Sequence, residues 1–180
     1  MKNRVSQSSD RRTRHIVSKA AALILLIAVT AAAYFLLTKP PKGLLILENP
    51  EDKTRYAEYE MKIGDTFSIE FIHSVNKSPV TDYFEIQDDG IYGVKTVYYG
   101  FGAGVPTELE EGQTLEYGDD GSMIISGTRV KMKDLIYRVG TVSDHILTLA
   151  NGRKISLRDL CGRSSRVCFR YEKEGESAES

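Results

Sequence analysis

The sequence predicts an all-β fold, an antiparallel sandwich or partly closed barrel, preceded by one N-terminal transmembrane helix. Three observations point there. Residues 20–37 carry no charged side chain, whereas residues 43–171 break into short extended segments with apolar and polar side chains in alternation. Turn-forming clusters (Asn49-Pro50, Gly64-Asp65, Asp88-Asp89-Gly90, Gly118 to Gly121 and Asn151-Gly152) punctuate those segments. After residue 43 no helical period lasts long enough to supply the crossover helices that a parallel sheet needs.

The first element is the apolar run. As a helix, about 18 residues at about 1.5 Å each span about 27 Å, close to the ~30 Å hydrocarbon core of a bilayer. Lys39, Pro40, Pro41 and Lys42 end it, because the charges resist hydrocarbon and the prolines lack the helical N–H. Residues 1–42 carry a net charge of +7 and leave −8 for the rest of a 180-residue chain whose net charge is −1. Lys and Arg on the N-terminal side favour a cytoplasmic N-terminus. The expected organisation is a basic cytoplasmic arm over 1–19, a signal anchor over 20–38, an extracytoplasmic β domain over 43–171 and a disordered acidic tail over 172–180. A cleaved signal peptide is the alternative, since Ala31, Ala32 and Ala33 are small. Tyr34 to Leu37 lengthen the apolar run beyond an ordinary signal core. A basic arm on an acidic body is not a nucleic-acid footprint, because the positive charge lies off the folded part.

In chain order, strands are expected at 44–48, 55–61, 66–74, 80–87, 92–99, 114–117, 123–126, 135–139, 146–149, 153–155 and 166–171. Asn151-Gly152 is the clearest hairpin signal. One helical turn is expected from Ser156, ahead of Gly162. Cys161 and Cys168 are close enough in sequence for a disulfide on the oxidising side of the membrane, or for two reduced thiols.

Candidate chemistry concentrates in residues 66–87. Phe67, Ile69, Phe71 and His73 share one strand face; Val80, Asp82, Phe84 and Ile86 share a face of the next. A carboxylate on an apolar face needs a partner. With a hairpin loop at Lys77 and Ser78, His73 faces Asp82; with the register shifted by two it faces Val80 and lies diagonal to Asp82. The pair is either a structural element or part of a ligand site. Ser74 neighbours His73 but points to the other face, which argues against a Ser–His dyad. Gly102 and Gly104, in the run from Gly100 to Pro106, form either a bulged corner or a backbone cradle for an anion. His145, beside Asp144 in a polar turn, is expected to be exposed. Three scattered histidines and two cysteines give no metal-ligand spacing, so neither a metal nor another cofactor is expected.

The segments Phe71-Ile72-His73-Ser74-Val75-Asn76-Lys77-Ser78-Pro79-Val80, Asp82-Tyr83-Phe84 and Phe101-Gly102-Ala103-Gly104-Val105-Pro106 resemble the DUF1850 family of small bacterial proteins. Members are often encoded beside TAXI-type tripartite (TRAP) transporters. The resemblance therefore implies an accessory role near such a transporter and supplies no catalytic mechanism. The expected function is a membrane-anchored accessory or ligand-binding domain, with His73, Ser74, Asp82, Gly102 and Gly104 as candidate ligand contacts. A different class of function is a small hydrolase in which Asp82 orients His73 and the glycine loop stabilises an oxyanion. It lacks an identifiable nucleophile.

Overall fold

The computed structural model describes residues 21, 24–30, 42–75, 77–100 and 109–175. Contacts divide the chain into two units, Met1–Lys39 and Pro40–Ser180. In the first, residues 24–30 are helical, and the Thr30 hydroxyl donates to the Ile27 carbonyl at 3.0 Å. Among the described residues no helix is long and apolar enough to cross a membrane. The basic arm over 1–19, most of the anchor expected over 20–38, Gly102, Gly104 and the tail beyond residue 175 lie outside the described residues.

Among the described residues the second unit has eleven strands: β1 Lys42–Glu48, β2 Arg55–Lys62, β3 Thr66–Ile72, β4 Pro79–Gln87, β5 Gly90–Tyr98, β6 Thr114–Tyr117, β7 Met123–Lys131, β8 Leu135–Arg138, β9 His145–Thr148, β10 Lys154–Ser156 and β11 Arg166–Lys173. They form two antiparallel sheets, four-stranded in the order β2-β1-β11-β8 and seven-stranded in the order β10-β9-β3-β4-β5-β7-β6. Neither closes on itself, so of the two expected architectures the fold is the sandwich. Every expected segment is a strand, most with shifted ends. β3 stops at Ile72, β7 runs to Lys131, and β11 takes Glu172 and Lys173, expected in the tail, into pairing with Leu44 and Gly43.

Alternation decides which faces meet. On β3, Phe67 and Ile69 are buried while Thr66 and Glu70 are exposed; on β11, Val167 and Phe169 are buried. Phe67 stacks on Phe84 in its own sheet at 5.1 Å and on Phe169 of the opposite sheet at 6.0 Å, joining the two layers. Burying one such ring contributes about 1.5–3 kcal/mol. The hairpin expected at Asn151-Gly152 joins β9 to β10, with Gly152 at φ 81°. The expected helical turn is Leu157–Cys161, capped by the Ser156 hydroxyl, which accepts from the Asp159 N–H at 3.0 Å.

The sheets are unequal, and the mismatch shapes the site. The four-stranded sheet ends at β8, whereas the other continues past β5 to β7 and β6. Between Gly93 and Lys95 the β5–β7 register shifts: Gly93 pairs with Val130 but Lys95 with Ser126, so Gly127 to Arg129 bulge from β7. Gly127 makes this possible. Its φ is 103°, and a Cβ there would lie 2.4 Å from the Gly112 carbonyl oxygen.

Candidate functional site

The β3–β4 hairpin pairs Ile69 with Asp82 and Ile72 with Pro79, and the His73 N–H donates to the Ser78 carbonyl at 2.9 Å. The loop therefore holds four residues, 74–77, and neither register expected from the sequence occurs. His73 lies four residues along β3 from the partner of Asp82, about 13 Å at strand rise. The His73–Asp82 pair is not formed. The His73 Nδ1 instead accepts from the Val75 N–H at 3.3 Å, within its own loop, where Ser74 is exposed.

Asp82 does face inward, and it is held by other residues. Thr96, its cross-strand neighbour on β5, donates its hydroxyl to Oδ1 at 2.9 Å. Tyr137, from β8 of the opposite sheet, donates to Oδ2 at 2.6 Å, a short charge-assisted bond. The Tyr137 ring sits edge-on to Phe71, Phe84, His145 and Phe169, with centroids 5.8 to 6.5 Å away. Burial, and then the nearby Asp82 charge, push the Tyr137 phenol far above its ordinary range; the same two causes raise Tyr98. Both phenols stay protonated at neutral pH, which the bond from Tyr137 requires.

Beside them opens a cleft of about 380 Å³ along the step between the unequal sheets. Its walls come from β4, β5, β7 and β8, and include Asp82, Thr96 and Tyr137 with Gly93, Ile125, Ser126, Met132, Asp134 and Leu135. Tyr83 and Lys95 also border it. They pair one step along from Asp82 and Thr96, so alternation sends them to the outer face, where the Lys95 ammonium lies 4.0 Å over the Tyr83 ring. Apolar and polar side chains share its lining, and a concave site with a few fixed polar groups is the usual form of a small-molecule site.

His145 is a correction to the sequence expectation, being buried at 9% exposure and stacked on Phe71 at 5.1 Å. Burial lowers its pKa, partly offset by Asp144. Its Nδ1 accepts from the Gly140 N–H at 3.3 Å, which leaves the proton of the neutral ring on Nε2. Asp144 is buried enough to push its carboxyl up. The Ser156 hydroxyl and the Arg158 and His145 N–H groups outweigh that and hold it below the usual carboxylate range.

The two cysteines are free thiols. Cys161 ends the short helix and packs against the core, and burial pushes its thiol up to about 11. Cys168 lies between the core residues Val167 and Phe169, so its side chain takes the opposite face of β11, across from Glu48. The sheet separates the two sulfurs, and the disulfide considered from the sequence does not form.

Thr96 and Tyr137 were missed as site residues. A signal for Tyr137 existed: Leu135, Tyr137 and Val139 alternate, so the tyrosine points inward and its hydroxyl needs a buried acceptor. Fold and site together define a small two-sheet β-sandwich with a lateral, polar-anchored cleft. Residues 67–157, half of the chain, match the family model described as a domain of unknown function, DUF1850, and the chain belongs to that family. The matched stretch holds Asp82, Thr96, Tyr137 and His145. No curated protein and no solved structure matches the chain.

Proposed function

We propose that this chain is a membrane-anchored, extracytoplasmic accessory module that binds a small organic ligand and works beside a TAXI-type TRAP transporter. The observation that carries the ligand-binding part is the lateral cleft with Asp82 fixed in its wall by two hydroxyls. The uncharged run 20–37 behind a basic arm supports the anchor, and the transporter link is what the resemblance stated from the sequence implies.

The cleft can be blocked without touching the polar network. A Cβ on Gly93 would meet the Met132 sulfur at 3.5 Å and the Phe84 ring at 4.0 Å, so Gly93→Leu directs its side chain into the space. In a strain lacking the gene, uptake through the neighbouring transporter should recover with the wild-type chain and fail to recover with Gly93→Leu, and crosslinking should capture a transporter subunit. Unchanged uptake after deletion, with no subunit captured, refutes the accessory role.

A further inference from the structure

We propose that the cleft takes a small organic cation, held by its ammonium group against Asp82; this rests on the ligand-binding reading above. The charges around the cleft point to the ligand's sign. Two carboxylates line it, Asp82 and Asp134, and among the described residues neither joins an ion pair, whereas Glu85 on β4 and Asp89 in the turn after it each pair with a cation. Among the described residues bordering the cleft Lys95 is the one basic residue, and it is turned to the outer face over Tyr83.

Asp82 keeps acceptor capacity as well. A carboxylate offers about four lone-pair directions, and the Thr96 and Tyr137 hydroxyls occupy two. Those bonds fix the carboxylate before any ligand arrives. The groups that complement a fixed, half-buried carboxylate lacking a counter-charge are cationic donors. Phe84 and Tyr137 line the same space, and an aromatic face is a further group that attracts an ammonium. Among the described residues, an acid entering the cleft meets two carboxylates and no cation facing it. The volume of about 380 Å³ suits a compact molecule.

The test uses the full-length chain in detergent and three probes of one shape and different charge: n-butylammonium, 1-butanol and butyrate. Titration followed by calorimetry and thermal shift should rank butylammonium above butanol and butanol above butyrate. Asp82→Asn should weaken butylammonium at least tenfold, and Gly93→Leu should abolish its binding. Butyrate or butanol binding as tightly as the amine, with the binding lost in Gly93→Leu, overturns the cationic assignment and leaves the cleft as a ligand site. Saturable binding of no probe overturns the assignment too; the uptake assay with Gly93→Leu then decides the broader reading by itself. If Asp82→Asn does not fold, as judged by near-UV circular dichroism, the ranking of the three probes on the wild-type chain decides.

Discussion

Tyr137→Phe removes one oxygen and leaves the ring in place, so it isolates the bond across the cleft. The wild-type hydroxyl donates to the Asp82 Oδ2 at 2.6 Å, and both groups are partly buried. A hydrogen bond to a charged group contributes about 1.5–3 kcal/mol. The Phe71, Phe84, His145 and Phe169 contacts survive, because they depend on the ring alone. Thr96 still donates to Oδ1, so the carboxylate keeps one of its two donors. For a domain of this size, where 1 kcal/mol moves Tm by roughly 4 °C, the loss should lower Tm by about 6–12 °C. Tyr137→Ala also empties the ring's place, a truncation that alone costs about 3–5 kcal/mol in a core. Thermal and urea unfolding of wild type and both variants separates the contributions. A Tyr137→Phe protein within about 2 °C of wild type would refute the reasoning: Asp82 would then be solvated well enough not to need the phenol. A large loss in Phe equal to that in Ala would refute it differently, by making the ring contacts irrelevant.

Two further outcomes concern His145, beside the Tyr137 ring, and the helix cap at Ser156. His145 has a pKa lowered by burial, so as pH falls below about 6.5 the unfolded chain takes up a proton that the folded chain refuses. Stability should be full above that pH and decline toward the lower folded pKa by at most about 1.4 kcal/mol per unit; His145→Phe should flatten the pH 5–7 part of a Tm-against-pH curve, and an unchanged slope would show that His145 is not responsible. Ser156→Ala removes the helix cap on the Asp159 N–H and a hydroxyl donor to Asp144, and should cost about 1–2 kcal/mol by urea unfolding.

Much of the fold was legible because strand alternation and turn chemistry are local. Gly152 and Ser156 mark a hairpin and a cap by residue type alone, and both occur where expected. Faces were legible too: Asp82 points inward. Its partner was not. Side-chain direction repeats every two residues, so registers that differ by two satisfy the same pattern. The turn-prone residues Asn76 to Pro79 drew the loop toward Lys77 and Ser78, whereas the hairpin closes at His73 and Ser78, with Lys77 at φ 55°. His145 misled for a related reason. Its polar neighbours Ser143 and Asp144 read as a solvated turn, yet Asp144 spends its lone pairs on the Ser156 hydroxyl and on backbone N–H groups, which holds the turn against the domain and the ring in the core.

The cleft itself depends on a quantity no local pattern carries, the difference in width between the two sheets. β8 joins the four-stranded sheet through β11, and β5 reaches β7 across a bulge; both pairings link segments about 30 residues apart. Once the narrow sheet stops at β8, the inner faces of β4 and β5 meet a boundary rather than a continuous apolar layer. A carboxylate in the middle of a sandwich would carry a heavy desolvation cost, whereas at this boundary two hydroxyls and partial solvation suffice. That accounts for Asp82 standing between Val80 and Phe84 on a strand that is otherwise core. On the ligand-binding reading proposed above, the ligand meets the side of the sandwich, where β5, β7 and β8 line the cleft. Substitutions at Gly93 or Met132 should then alter binding more than substitutions at the exposed Ser74 in the hairpin loop.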